Sequence, residues 1–221
     1  MAAVQIASNP AKISEAIQNA DARHPVARLA ELHREGEETA RLANLLGRSI
    51  HVAVALPVLA TATLAAGQVG LAESAAWLFF LLAGSAAIAV AWRRTIAQPF
   101  ERAALSSFAK DLSAILVFAG FAWGAGAFLA LPAGAGLGLV VLFAAGAGAA
   151  VAVLLREREC AFLFLAPVAA MTSFACVLRP LGAGALDAAL VLIACIAVAA
   201  ATVFAGSRAR PSADVAEFLS A

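Results

Sequence analysis

The sequence predicts an all-α integral membrane protein: six transmembrane helices in three hairpins, preceded by a cytoplasmic juxtamembrane helix. Three observations predict it. The 221 residues are 63% hydrophobic and only 13% charged, against about 25% charged in a soluble domain, and the mean hydropathy is +0.92. Six apolar segments occur, each close to the roughly 20 residues that cross a hydrocarbon core about 30 Å thick. The cations gather beside one set of segment ends. The net charge of +1 carries little information about partners.

Residues 1–48 read as a cytoplasmic N-terminal segment with six positive and six negative side chains, punctuated by Pro10 and Pro25. From about Val26 the residues Leu29, Leu32, Leu42, Leu45 and Leu46 recur between charges. They predict an amphipathic helix that runs into the first span, loosened at Gly36. Arg34–Glu38 and Glu37–Arg41 are opposite-charge pairs at i,i+4, each worth about 0.3 kcal/mol. Gly36 and Thr39 stand where a dimerising coiled coil would place Leu or Ile, which argues against such a stub. His33 lies on the charged face without a phosphotransfer context. His24 and His51 are isolated, and His51 is expected near the headgroup boundary.

The transmembrane domain is placed at 49–206, with spans at about 49–67, 74–92, 112–131, 133–155, 160–178 and 188–206. No charge occurs between Leu112 and Leu155, a stretch too long for one span. Pro132 with Gly134, Gly136 and Gly138 supplies the turn that divides it. Pro57 and Pro167 fall inside spans and are expected to kink them. Trp77 and Trp92 are expected as interfacial aromatics at the two ends of the second span. The outer connections at 68–73, at Pro132 and at 179–187 are too short for an external ligand-binding domain. Residues 207–221 form a short tail.

Orientation follows from Lys and Arg near the span ends. Arg41, Arg48, Arg93, Arg94, Arg102, Lys110, Arg156, Arg158, Arg208 and Arg210 lie on one side, and Arg179 alone lies on the other. That places both termini in the cytoplasm of a multi-pass inner-membrane protein, together with the polar strip Trp92–Leu112. The cations Arg93, Arg94, Arg102 and Lys110 are expected to anchor this strip on anionic lipid headgroups. The N-terminus lacks a basic start followed by an apolar core, so no cleavable signal peptide is expected.

The central parts of all six spans lack Asp, Glu, Lys, Arg and His, which argues against an ion-coupled transporter. Cys160, Cys176 and Cys195 lie in or beside apolar spans without a C-x-x-C or a neighbouring His, and behave as small hydrophobes. No nucleotide-binding, hydrolase or metalloprotease motif occurs. No catalytic residue, metal ligand or cofactor is therefore assigned, the chain is read as a non-enzyme, and no nucleic-acid partner is expected. "REREC", Arg156–Cys160, is the densest reactive-looking cluster and reads as a charged hairpin turn. Ser85, Thr172, Ser173 and Thr202 could line a path for a neutral solute, but are expected to bond back to their own helix carbonyls. Gly120 and Gly124, Ala122 and Gly126, and Ala144 and Gly148 form small-residue faces. They are expected to serve packing within the chain, with homodimerisation as the alternative.

"FAGFAWGAGAFLALP", Phe118–Pro132, sets Trp123 mid-span, follows it with Gly124 and ends on Pro132. With "LANLL" (Leu42–Leu46), "AWRRTIAQPFERA" (Ala91–Ala103) and "FLAPVAAM" (Phe164–Met171, containing Pro167), it resembles a known class of membrane region over about residues 40–206. This is the six-helix sensor region at the N-termini of bacterial diguanylate cyclases and sensor histidine kinases. Trp123, Gly124, Pro132 and Pro167 carry the resemblance. It implies an input region for signal transduction. No cyclase, kinase or phosphodiesterase signature follows Gly206, so it further implies an input region without its own output. The expected function is a sensor or anchor that conveys a membrane signal to, or recruits, a cytoplasmic signalling protein. The alternative is a small multi-pass transporter or permeation component for a neutral solute.

Overall fold

The computed structural model describes the backbone of residues 10–67, 71–99, 101–129, 137–178 and 185–208. Among them it contains helices and no strand: α1 (Pro10–Gly67), α2 (Leu71–Ile96), α3 (Arg102–Leu129), α4 (Leu137–Leu155), α5 (Arg158–Leu178) and α6 (Ala185–Arg208). Six helical segments are long and apolar enough to cross a membrane. The turns expected at 68–73, at Pro132 and at 179–187 lie wholly or partly outside the described residues. The tail beyond Arg208 lies outside them too.

Contacts divide the chain into Met1–Ala43 and Asn44–Ala221. In the first unit the helix expected from about Val26 already begins at Pro10. A proline at a helix's first position gives up only an N–H that has no intrahelical acceptor, and Pro25 does not end the helix as a punctuation mark would. Side chains from Glu31 to Glu38 are all exposed. His33 Nε2 lies 3.2 Å from Glu37 Oε1, and Thr39 Oγ1 donates to the Glu35 carbonyl at 2.8 Å.

The second unit is a bundle with an apolar exterior. On α1 the stripe Leu45, Leu46, Ser49, Val52, Leu56, Ala60 and Leu64 is buried, at the three- and four-residue steps of one helix face. The opposite face is equally apolar and open: Val54 and Val58 are about 60% exposed, as 62% and 59%. Phe79, Leu142, Val153, Phe162, Ile196 and Phe204 repeat the pattern on the other helices. A water-soluble bundle would carry charges at such positions.

α5 packs against α3, α4 and α6, and α2 packs against α3. A Cβ added at Gly120 would fall on Phe164 and Pro167 of α5, and one at Gly124 on Val168 and Met171. The two series rise together, so α3 and α5 run parallel. Gly84 of α2 faces Phe118 and Ala119, and Trp77 reaches Ala122, so α2 and α3 run antiparallel. The end of α2 with Arg93 and Arg94 therefore shares one end of the bundle with the starts of α3 and α5. All six residues of the small-residue faces, from Gly120 to Gly148, are buried inside the chain. None of those faces is open to a second copy.

The polar strip is a loop for only a few residues. α2 continues through Ile96, and α3 starts at Arg102, ten residues before the expected span. Leu105, Phe108 and Leu112 are buried at 1%, 2% and 0%, and their helical spacing draws the segment onto the bundle as an amphipathic stretch of about three turns. The connection between α4 and α5 is tighter still. Arg156 takes φ 54° and its N–H donates to the Ala152 carbonyl at 2.9 Å, a left-handed cap that glycine usually supplies. Replacing Arg156 by Gly is expected to stabilise the fold by about 0.5–1 kcal/mol, and Arg156→Val to destabilise it by about as much or more. Thermal unfolding in a mild detergent reads both.

Candidate functional site

Of the residues singled out by the resemblance, Trp123, Gly124 and Pro167 lie close together but on different faces of α3. Trp123 points from α3 toward α4: it is 1% exposed, and its Nε1 donates to the Phe143 carbonyl at 2.9 Å. Trp77 of α2 is fully buried and donates through Nε1 to the Ala122 carbonyl at 2.9 Å. Its expected role as an interfacial aromatic is therefore wrong. The two indoles meet edge-on at 5.8 Å, and Trp123 stacks on Phe143 at 5.2 Å. Each buried indole N–H finds a carbonyl on another helix, as a polar group away from water must. Gly124 and Pro167 meet on the other face of α3, where the bulk of α5 fills the space that a Cβ would need. Pro132 lies outside the described residues. This cluster is a packing node joining α2, α3, α4 and α5, closed to a ligand.

Hydroxyls in the helices divide into two groups. Ser49, Thr61, Thr63, Thr95, Ser113 and Thr202 bond back to carbonyls three or four residues earlier, at 2.7–2.9 Å. The expectation of back-bonding thus holds for Thr202. It fails for Ser85, Thr172 and Ser173, whose buried oxygens have no hydrogen-bond partner. Cys160, Cys176 and Cys195 are buried and form no disulfide, and Asp187 at the start of α6 is 7% exposed, within electrostatic reach of Cys176. Among the described residues no three His, Cys, Asp or Glu gather as a metal-binding group. In "REREC", Arg158 and Glu159 are exposed while Cys160 is covered.

An open site does exist, at the basic end between α2 and α3, with a volume of about 510 Å³. Ligand cavities commonly measure about 300–1,000 Å³. From α2 it takes Ala87, Val90, Ala91, Arg94 and Thr95, one helix face by spacing, with Gln98 just beyond the end of the helix. From α3 it takes Ala104, Ser107, Phe108, Asp111, Ala114 and Ile115, again one face. Because the helices are antiparallel, Ala87 and Val90 stand opposite Ala114 and Ile115, and Arg94 stands near the level of Asp111. The groove therefore grades from an apolar floor to a polar mouth. Arg94 and Asp111 are both exposed, and neither has an ion-pair partner among the described residues. Of the expected anchoring cations, Arg94 lines this groove, while Arg93, Arg102 and Lys110 are exposed beside it. Sequence reasoning missed Gln98, Ser107 and Asp111 as lining residues. For Ser107 and Asp111 the available signal was their four-residue spacing on the amphipathic start of α3, whereas Gln98 lies beyond the end of α2.

Comparison of the chain with family models, with curated proteins and with solved structures finds no match.

Proposed function

We propose that the chain is a non-enzymatic multi-pass protein of the inner membrane, of sensor or anchor type, with both termini and the basic end of the bundle in the cytoplasm. It conveys a membrane signal to a cytoplasmic signalling protein, or recruits one, through the helix of its N-terminal unit. The observation that carries this reading is a division of surfaces. The outward faces of the bundle are apolar on every helix, whereas residues 31–38 are all exposed and are charged or His except at Leu32 and Gly36. Arg93, Arg94, Arg102 and Lys110 hold the basic end at anionic headgroups, a contribution of about 1 kcal/mol per cation near such a surface.

Two measurements test it. With the three native cysteines replaced, an impermeant thiol reagent is expected to label Ala72→Cys and Gly182→Cys in intact cells. Labelling only after permeabilisation would invert the topology. Deleting Val26–Ala43 is expected to abolish co-purification of the cytoplasmic partner while leaving the bundle in the membrane. Unchanged co-purification removes the recruitment role.

The unpartnered hydroxyls of Ser85, Thr172 and Ser173 favour a second reading, a permeation component for a small neutral solute. In that case liposomes containing the chain conduct glycerol or urea, and Thr172→Val lowers the flux. No flux above empty liposomes excludes that role for these solutes.

A further inference from the structure

We propose that the groove between α2 and α3 binds one molecule of a zwitterionic phospholipid carrying a primary ammonium, phosphatidylethanolamine. The inference rests on the reading of the six helices as membrane-spanning and goes beyond it by naming the ligand. Three features select this chemistry. The mouth of the groove holds one cation, Arg94, and one anion, Asp111, on facing helices at a similar level, and they do not pair with each other. Two opposite charges held apart match a ligand whose own charges are opposite and separated. The Arg94 guanidinium takes the phosphate in a forked hydrogen bond, and the Asp111 carboxylate accepts from the ammonium. Gln98 and Ser107 supply neutral polar atoms beside them.

The second feature is the apolar floor. Val90 and Ile115 continue the groove away from the charges, and an acyl chain fits there where a soluble zwitterion would leave that surface bare. The third is discrimination. A phosphatidylglycerol headgroup would satisfy Arg94 but carries no cation of its own for Asp111. A choline headgroup brings a cation with no N–H to donate. Asp111 is thus the residue that tells the lipids apart, and Arg94 the one that holds any phosphate.

The test uses the full chain reconstituted in vesicles of equimolar phosphatidylethanolamine, phosphatidylglycerol and phosphatidylcholine. The chain is re-extracted in mild detergent, and the co-purifying lipids are quantified by mass spectrometry. The wild type is expected to retain phosphatidylethanolamine over each of the other two by about fivefold, the most that a part-exposed ion pair supplies. Asp111→Asn is expected to erase the preference over phosphatidylglycerol, Asp111→Glu to keep it, and Arg94→Gln to lower retention of all three. Tryptophan emission from the buried Trp77 and Trp123 verifies that each variant is folded. Equal retention by the wild type, a preference for phosphatidylglycerol, or a phosphatidylethanolamine preference that survives Asp111→Asn overturns the proposal. Failure of the membrane reading shows differently, as recovery of the chain without detergent.

Discussion

Gly120→Ala is expected to cost the bundle about 2–3 kcal/mol, the upper range for overpacking a filled interior. A Cβ at this position would sit 2.6 Å from Pro167 Cγ and closer still to the Phe164 carbonyl oxygen. Both obstacles are rigid: one is a pyrrolidine ring, the other a hydrogen-bonded helix backbone. α3 and α5 must therefore separate. In lipid they cannot recover the loss from the hydrophobic effect, because hydrocarbon solvates the parted faces as well as the partner helix does. The remaining attraction is dispersion, which falls off within a fraction of an ångström. Two neighbouring substitutions provide the comparison. Gly148→Ala would meet mainly the Cδ1 end of Leu165, a flexible tip that can turn aside, and is expected to cost under about 1 kcal/mol. Gly84→Ala would place its Cβ 3.5 Å from the Ala119 Cβ, an ordinary contact. It is expected to be neutral or to stabilise through helix propensity, by up to about 1 kcal/mol. Unfolding midpoints in detergent should rank Gly84→Ala above Gly148→Ala above Gly120→Ala. Equal midpoints would mean that α3 and α5 do not approach as closely as the glycines require.

Trp123→Ala is expected to be at least as damaging, at about 3–5 kcal/mol, the range for emptying a large buried aromatic site. The side chain fills the space between α2, α3 and α4, stacked on Phe143 at 5.2 Å and edge-on to Trp77 at 5.8 Å. No neighbour is free to collapse into the void, because Trp77 is itself tied to the Ala122 carbonyl and abuts Gly126. Trp123→Phe keeps most of the ring area and loses the N–H that reaches the Phe143 carbonyl. It is expected to cost about 1–2 kcal/mol, since that carbonyl retains its place in the α4 ladder. Trp92, only half-buried, is the control, with Trp92→Phe close to neutral. Unfolding midpoints measure the three. A near-ultraviolet dichroism band from the Trp77–Trp123 pair should vanish in Trp123→Phe and persist in Trp92→Phe. A wild-type spectrum without that band would deny the edge-on pair.

The two predictions concern residues whose importance was unevenly visible in the chain. Gly120 and Gly124 announced a close helix approach by their four-residue spacing, and the same spacing could equally have served a second copy. Only the fold showed that Phe164, Pro167, Val168 and Met171 occupy the face. Trp123 stood out because tryptophan is unusual at the middle of a span. Trp77, near the start of the preceding helix α2, looked like an interfacial anchor by the same rule, yet it is completely covered. Position along a span says how deep a side chain lies. It does not say which way it points, and the direction is set by which helix packs beside it.

The polar strip shows the same limit from the other side. Its charges were legible, and so was their gathering on one side of the chain. Its conformation was misjudged, because a window that seeks uninterrupted apolar residues stops at Lys110 and Asp111. The helix itself, held by Leu105, Phe108 and Leu112, continues to Arg102. That continuation sets Asp111 opposite Arg94 and creates the groove.

The sequence by itself determined that the chain is helical, that six segments suit a hydrocarbon solvent, and where the cations collect. Those properties depend on composition and on periods of a few residues. The tertiary structure alone decided that α3 and α5 lie parallel in contact, that both indoles turn inward to carbonyls of other helices, and that two unpaired opposite charges share one cleft. Each of these depends on residues tens of positions apart. An apolar helix has no polar side to fix its rotation, so only the fit of one helix surface against another can choose it.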